Sequence, residues 1–349
     1  MTEQYNTMAV IDRGVLWRIF ELETCQKHLG LTVDVRPEDV TAEKIILSGV
    51  KYVVWKLATE ATTEPLWQHT VAAASCLGSI RQINDPRGWL ACHAKEVAFK
   101  VWREQGVPCP NWFEFECWED FTHKDNIGYP LLMRLNNGTG GQCSFLVQDR
   151  EEAQRHGWPM LCGVKDHKYG PGNQGTRRKF IAVQFIPATL DDKVNMSFRI
   201  IVAGNKVTAG YARISPKTDW LAITNRFEPW MQPLFIGAQK RCRAFCQENE
   251  ALIVKSVKCL GLNFQGVDVI LDQEGKPYFL EVQPGFSVGY ANNKSWLPPF
   301  YNPSRPETLV NYLVEKEAGL RRHMPWYYER WLDKYAMFDA SFKALKEDL

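Results

Sequence analysis

Several common signals are missing from this chain, and each absence removes a class of function. Its ten cysteines include no Cys-x-x-Cys pair and have no histidines beside them at zinc spacing, which argues against a structural zinc site and a disulfide framework. Cys242 and Cys246, one helical turn apart, read as core packing, and the cysteine usage suggests a reducing, cytoplasmic setting. Forty-two basic and forty acidic residues nearly cancel, with no long Lys/Arg block, so no nucleic-acid partner is expected. Nowhere do eighteen apolar residues run together, and the first thirty residues lack a basic start followed by a long apolar core. Neither a membrane partner nor a signal peptide is therefore expected. No Gly-x-Gly-x-x-Gly follows the first apolar run, and no Gly-Lys-Ser/Thr occurs in the glycine-rich segment near residue 140, which leaves little for a dinucleotide fingerprint or a Walker A loop. The histidines, His93 and His167 among them, show no pairing that would serve a nucleophile and read as structural or solvated.

What is present is enough apolar material, 45% of 349 residues, for two or three packed units. Up to about residue 88, "TMAVID", "GVLWRIFELETCQKHLG", "LTVDV" and "KYVVWKL" alternate strand and helix patterns, the rhythm of a small open α/β domain. Asp12-Arg13-Gly14 reads as a strand-to-helix turn. After Ile83, Asp85-Pro86 predicts the start of a helix that runs until "GVPCP" stops it at Gly106. Between Asn126 and Ile214, five apolar runs read as antiparallel strands, interrupted by the polar, glycine-rich segment Gly163 to Lys179, read as a mobile lid. Ser304 and Glu307 stand at capping-box spacing, and Tyr327, Trp331, Tyr335 and Phe338 fall on one helix face as core or subunit packing, within a C-terminal helical extension.

Two further stretches carry chemistry. In "GVDVILDQEGKPYFLEVQPG" two apolar runs flank a turn at Gly275, and each holds one carboxylate, Asp268 and Glu281. Paired strands would bring the two acids together, where burial and mutual repulsion call for a cation. Hard oxygen donors without His or Cys suit Mg2+, and Gln283 adds an amide oxygen on the Glu281 face. The hairpin alone leaves open whether these acids hold a metal or are ion-paired. In "LLMRLNNGTGGQCSFLV", Arg134 ends a strand before Asn136, Asn137, Gly138, Thr139, Gly140 and Gly141, which reads either as an anion cradle or as an ordinary turn.

In their order along the chain these segments resemble the ATP-grasp superfamily of carboxylate-amine ligases, the fold of D-alanine:D-alanine ligases, glutathione synthetases and ribosomal-protein glutamate ligases. The resemblance runs from about Asn84 to Gly289. It implies a mixed α/β and α+β chain: an N-terminal open α/β domain (1–88), a small lid subdomain with its leading helix (89–186), a large subdomain with the metal site (187–303) and a C-terminal helical extension (304–349). It implies that Lys95, ahead of "GVPCP", and Arg134, where lysine is usual, contact ATP phosphates with the loop Gly138, Thr139, Gly140 and Gly141. Gln184, Phe185 and Ile186 would border adenine, with Gln184 where glutamate is common, and Asp191 would meet ribose. Arg199 and Arg213 take the catalytic substrate and phosphate roles, Asn225 a substrate role, and Asp268, Glu281 and Gln283 hold Mg2+, with Gln283 replacing the usual asparagine.

The implied reaction is attack of a small-molecule carboxylate on the γ-phosphoryl of ATP, followed by capture of the acylphosphate by an amine. A kinase acting on a hydroxyl and a nucleotide-binding module without turnover are the alternatives, and a homodimer stays open.

Overall fold

Short apolar strands alternating with helices begin the chain, and in the computed structural model they form a parallel sheet of order β2-β1-β3-β4. Its strands are Thr7–Ile11 (β1), Leu31–Val35 (β2), Tyr52–Lys56 (β3) and Arg81–Ile83 (β4), with helices Ile19–Leu29 (α1), Ala42–Leu47 (α2) and Glu64–Ser75 (α3) between them. The structure describes residues 7–11, 19–57, 64–136, 144–163, 180–218, 229–283 and 325–348. Asp12, Arg13, Gly14, the lid residues 164–179 with His167, Asn137 and Gly138 to Gly141, Asn225, Ser304 and Glu307 lie outside them. Strand β3 is buried along its whole length because helices cover both of its faces. Val53 and Trp55 pack with Ile45 of α2 and Ala73 and Ala74 of α3, whereas Val54 faces the opposite layer.

Beyond β4 the backbone takes a left-handed turn at Asn84 (φ 59°), and Asp85 accepts a hydrogen bond from the Arg87 N–H to start a single 3-10 turn, Pro86–Trp89. The single helix expected here is in fact two, Leu90–His93 (α4) and Lys95–Glu104 (α5), separated by an extended Ala94 (φ −117°, ψ 115°). The break has a partner elsewhere in the chain. Asn136 accepts from the Lys95 N–H through its main-chain oxygen (3.5 Å) and from the Glu96 N–H through Oδ1 (3.3 Å), capping the new helix from the end of a strand.

That strand, Leu131–Leu135 (β6), lies in an antiparallel sheet of order β5-β8-β6-β7 with Trp112–Phe115 (β5), Phe180–Gln184 (β8) and Ser144–Val147 (β7). Phe115, Phe121 and Phe180 build its core with Trp118–Lys124 (α6) and Trp158–Cys162 (α8), while the short Arg150–Glu152 (α7) stays outside it. The large antiparallel sheet has the order β11-β10-β12-β13, formed by Val194–Ala203 (β10), Lys206–Pro216 (β11), Phe264–Leu271 (β12) and Pro277–Gln283 (β13), with Thr189–Leu190 (β9) paired to β10. One face packs Phe198, Ile200, Val267 and Val269 against Gln232–Glu248 (α9), Glu250–Lys258 (α10) and α5. Cys242 and Cys246 sit here as free thiols, close against Gly210. On the other face, Ile201, Ala203 and Tyr211 meet Phe338 and Phe342 of the C-terminal helix Pro325–Asp348 (α11), together with Leu29 and Val54. Phe338 is thus core; the side chains of Tyr327, Trp331 and Tyr335 lie outside the described ones. Among the described residues no helix is long and apolar enough to cross a membrane.

The first sheet is tied to the large one by side-chain to backbone bonds. Asn84 donates to the Phe264 carbonyl (2.8 Å) and accepts from the Phe264 N–H (2.9 Å), while Asn263 Oδ1 accepts from the Asn84 N–H (2.9 Å). Gly88 rests on the same seam, where a methyl group would lie 2.6 Å from the Leu260 carbonyl oxygen and 2.8 Å from a Leu262 methyl. Because a backbone oxygen cannot swing aside as a side chain can, Gly88→Ala is expected to lower stability by about 1–3 kcal/mol. An unchanged urea midpoint would show that the seam yields freely.

Candidate active site

The turn between β12 and β13 sets the register of the hairpin as far as Val269, which pairs with Phe279. Asp272 Oδ1 accepts from the N–H groups of Glu274 (3.0 Å) and Lys276 (2.9 Å), and Gly275 takes φ 85°, a conformation that a side chain would resist. Continued unbroken, that register would set Asp268 opposite Leu280; a one-residue shift between Val269 and Asp268 instead brings Asp268 opposite Glu281, and Gly266 opposite Gln283. On its other side β12 pairs with β10, which sets Arg199 opposite Asp268. Strand β11 adds Arg213, opposite Ser197. Alternation then gathers Arg199, Asp268, Glu281 and Gln283 on one face while their apolar neighbours fill the core behind.

Asp268 is 4% exposed and Arg199 6%. Arg199 grips the carboxylate with two parallel bonds, Nε to Oδ1 and Nη2 to Oδ2, both 2.7 Å, and Arg213 Nη2 reaches Oδ2 at 2.8 Å. Burial by itself would raise the Asp268 pKa, but the two guanidinium groups overcome it and hold the carboxyl well below its ordinary value. The repulsion between Asp268 and Glu281, for which the sequence calls for a divalent ion, is already relieved at Asp268 by the two arginines. Glu281 accepts from the Gln283 amide and lies 3.5 Å from the Lys95 ammonium at the start of α5. Burial pulls the Lys95 pKa from 10.5 down to about 8, repulsion from Arg134 adds to the fall, and Glu281 pulls it partly back. Lys95 and Arg134, on different elements, therefore share one electrostatic neighbourhood.

The remaining expected residues are distributed as follows. Gln184 ends β8 with its side-chain oxygen accepting from the Asn111 N–H (3.2 Å) and its own N–H donating to the Asn111 carbonyl (2.8 Å). The Phe185 N–H donates to the Pro130 carbonyl (3.2 Å), and Ile186 is buried. Asp191 occupies, with Asp192, the exposed left-handed tip of the β9–β10 turn (φ 52° and 55°). Gly138, Thr139, Gly140, Gly141 and Asn225 lie outside the described residues. Tyr211, the cross-strand neighbour of Arg199, is a site-side residue that the sequence reading missed, although its spacing of two from Arg213 marks a shared face.

The donor set fits a hard divalent cation. Asp268, Glu281 and the Gln283 amide oxygen are oxygen ligands only, too few to close a shell, as suits Mg2+ bound jointly with phosphate oxygens. No cluster of three or more His, Cys, Asp or Glu side chains that could hold a metal occurs among the described residues. The surroundings also fit an anion, since Lys95, Arg134, Arg199 and Arg213 outnumber the nearby carboxylates Glu96, Asp268 and Glu281, and the buried Nε of Arg213 has no hydrogen-bond partner.

Residues 100–293, more than half of the chain, match the RimK-like ATP-grasp domain. The chain belongs to the RimK-like ATP-grasp family. It is 24% identical over 267 residues to mouse N-acetylaspartylglutamate synthase A, covering 75% of this chain and 60% of that protein. It is 21% identical over 214 residues to zebrafish beta-citrylglutamate synthase B, covering 60% of this chain and 45% of that one. The chain thus spans roughly half of the length of the curated relatives it matches, 45–60%. In fold it is similar to the Bacillus anthracis D-alanine–D-alanine ligase complexed with ATP (TM-score 0.51, 14% identity, 99% of both chains). It is also similar to the Bacillus licheniformis L-amino acid ligase (TM-score 0.51, 15% identity, 81% of this chain and 69% of that one). ATP-grasp membership implies nucleotide use.

The depressed Lys95 has a measurable consequence. Between about 8 and its ordinary 10.5, the unfolded chain carries this proton and the folded one does not, so the cost of the buried ammonium is felt below pH 8 and relieved above it. Phosphate beside Lys95 favours the charged form, so ATP binding at pH 8.5 should take up protons, seen as a buffer-dependent calorimetric enthalpy that Lys95→Met abolishes. Equal enthalpies in buffers of different ionisation heat would exclude this contact.

Proposed function

We propose that this RimK-like ATP-grasp chain is an ATP-dependent carbon-nitrogen ligase joining a small carboxylic acid to an amine. The observation that carries the reading is the convergence of Lys95, Arg199 and Arg213 on two in-register carboxylates, Asp268 and Glu281, on one face of the large sheet. The relatives support the substrate class, being named as synthases of N-acetylaspartylglutamate and of beta-citrylglutamate.

In this reading the small sheet (89–186) and the large one (187–303) border ATP from two sides. Lys95 and Arg134 bind its phosphates together with the loop at Gly138 to Gly141, while Gln184, Phe185 and Ile186 line the base and Asp191 the ribose. Asp268, Glu281 and Gln283 would hold Mg2+, which when bound would supply charge neutralisation for the phosphoryl transfer. An oxygen of the acid attacks the γ-phosphorus and the bond to the β-phosphate oxygen breaks, releasing ADP. The amine nitrogen then attacks the acyl carbon and inorganic phosphate departs, its proton balance closed by loss of a proton from nitrogen.

Such a transfer asks chiefly for alignment and for compensation of charge on the equatorial oxygens. Arg213, whose Nε has no hydrogen-bond partner, can turn that donor to the transferring phosphoryl, and Arg199, locked on Asp268, keeps the carboxylate ionised. Asn225 would orient the acid.

ADP release screened over small carboxylates, with hydroxylamine as the nucleophile, tests the reading. A ligase yields a hydroxamate stoichiometric with ADP, and Arg213→Ala should lower its rate by about 100-fold or more. ADP formation without hydroxamate would indicate phosphorylation of a hydroxyl, and no ADP at all would indicate a binding module.

A further inference from the structure

Ser144 opens β7 and is 6% exposed. The residues that follow it show which way it points. Phe145 and Val147 pack into the small sheet's own core with Phe115 and Phe121, so alternation turns Ser144 to the opposite face. There it stands directly across from Arg134, whose partner on the other side is Ile181. Residues paired in this way hold their Cβ atoms about 5 Å apart. Ile181 belongs to the core that includes Ala98 and Phe99 of α5, the helix that Lys95 begins, and the Lys95 ammonium is repelled by Arg134. Ser144 therefore shares the face of the small sheet that carries Arg134 and meets the helix of Lys95.

The Ser144 hydroxyl is buried and has no hydrogen-bond partner among the described residues. Such a group costs the fold stability that an alanine would not, because it has given up water and gained nothing in return. Side chains kept at that cost are characteristic of sites where a ligand supplies the missing partner. Beside a guanidinium the partner that fits is an anionic oxygen: the hydroxyl donates one hydrogen bond to it and the arginine supplies the charge. We infer that Ser144 is a nucleotide-binding residue, its hydroxyl donating to a phosphate oxygen of ATP beside Arg134. This deepens the ligase reading and rests on the nucleotide site within it.

Calorimetric titration of the full chain with ATP and with adenosine, both with Mg2+ present, together with thermal melting of the nucleotide-free protein, tests the assignment. Ser144→Ala is expected to weaken ATP binding by about 10-fold, leave adenosine binding unchanged and melt at or above the wild-type temperature, because the unpartnered hydroxyl is gone. Ser144→Thr, which keeps the hydroxyl, should restore most of the ATP affinity. A serine with a purely structural role gives the opposite pattern, lower melting with ATP affinity intact. A Ser144→Ala variant that melts lower or does not fold shows that the hydroxyl is bonded within the chain and overturns the assignment. So does an ATP affinity equal to that of the wild type, or a loss shared equally by ATP and adenosine. Each of these outcomes leaves the ligase intact, whereas a wild type that binds no nucleotide removes both readings.

Discussion

The buried pairing of Arg199 with Asp268 is the constraint around which the site is organised. A carboxylate at 4% exposure survives as an anion only if its oxygens are satisfied, and here three guanidinium N–H groups at 2.7–2.8 Å do so. Such a pair adds little net stability over an apolar packing of equal volume, because desolvating two ions cancels much of their attraction. Removing one partner, however, leaves the other charged and stranded. The arrangement therefore reads as a fixture for chemistry: an anion kept ionised at a defined point, with positive charge in excess around it.

That point is reached by elements far apart in sequence, and each is held for its own reason. The Asp272 turn closes the hairpin and the one-residue shift beside Val269 faces Asp268 with Glu281, the β10–β12 pairing sets Arg199 across from Asp268, and Asn136 interrupts a helix so that Lys95 begins a new one beside Glu281. The core behind the face, Phe198 to Val269, packs against α9, α10 and α5 and leaves the strands little freedom to slip. A one-residue slip would turn Asp268 into that core.

Much of this was legible in the sequence because it depends on local periodicity. The alternation around Asp268 and Glu281, with Gly275 between, marks a hairpin with one acid on each strand, and the ordered motifs carry Arg199 and Arg213 to the same place, whereas the one-residue register shift beside Val269 that sets the acids face to face leaves no such mark. What escaped depends on partners distant in the chain. The break at Ala94 needs Asn136, about forty residues on, and "LACHAKEVAF" has no glycine or proline to announce it. Direct neutralisation of Asp268 by arginines needs the β10–β12 register, which hydrophobic pattern alone does not give. Strand β5, only Trp112–Phe115, is too short to display a period, and the Asn84–Phe264 seam joins residues 180 apart.

Diffraction from crystals grown with Mn2+ and a non-hydrolysable ATP analogue, using the anomalous signal of manganese, tests the central claim most directly. A peak within bonding distance of Asp268 and Glu281 oxygens and of phosphate oxygens, with Arg213 turned toward the phosphates, is the expected result. Nucleotide bound with the manganese peak away from both carboxylates would contradict the account.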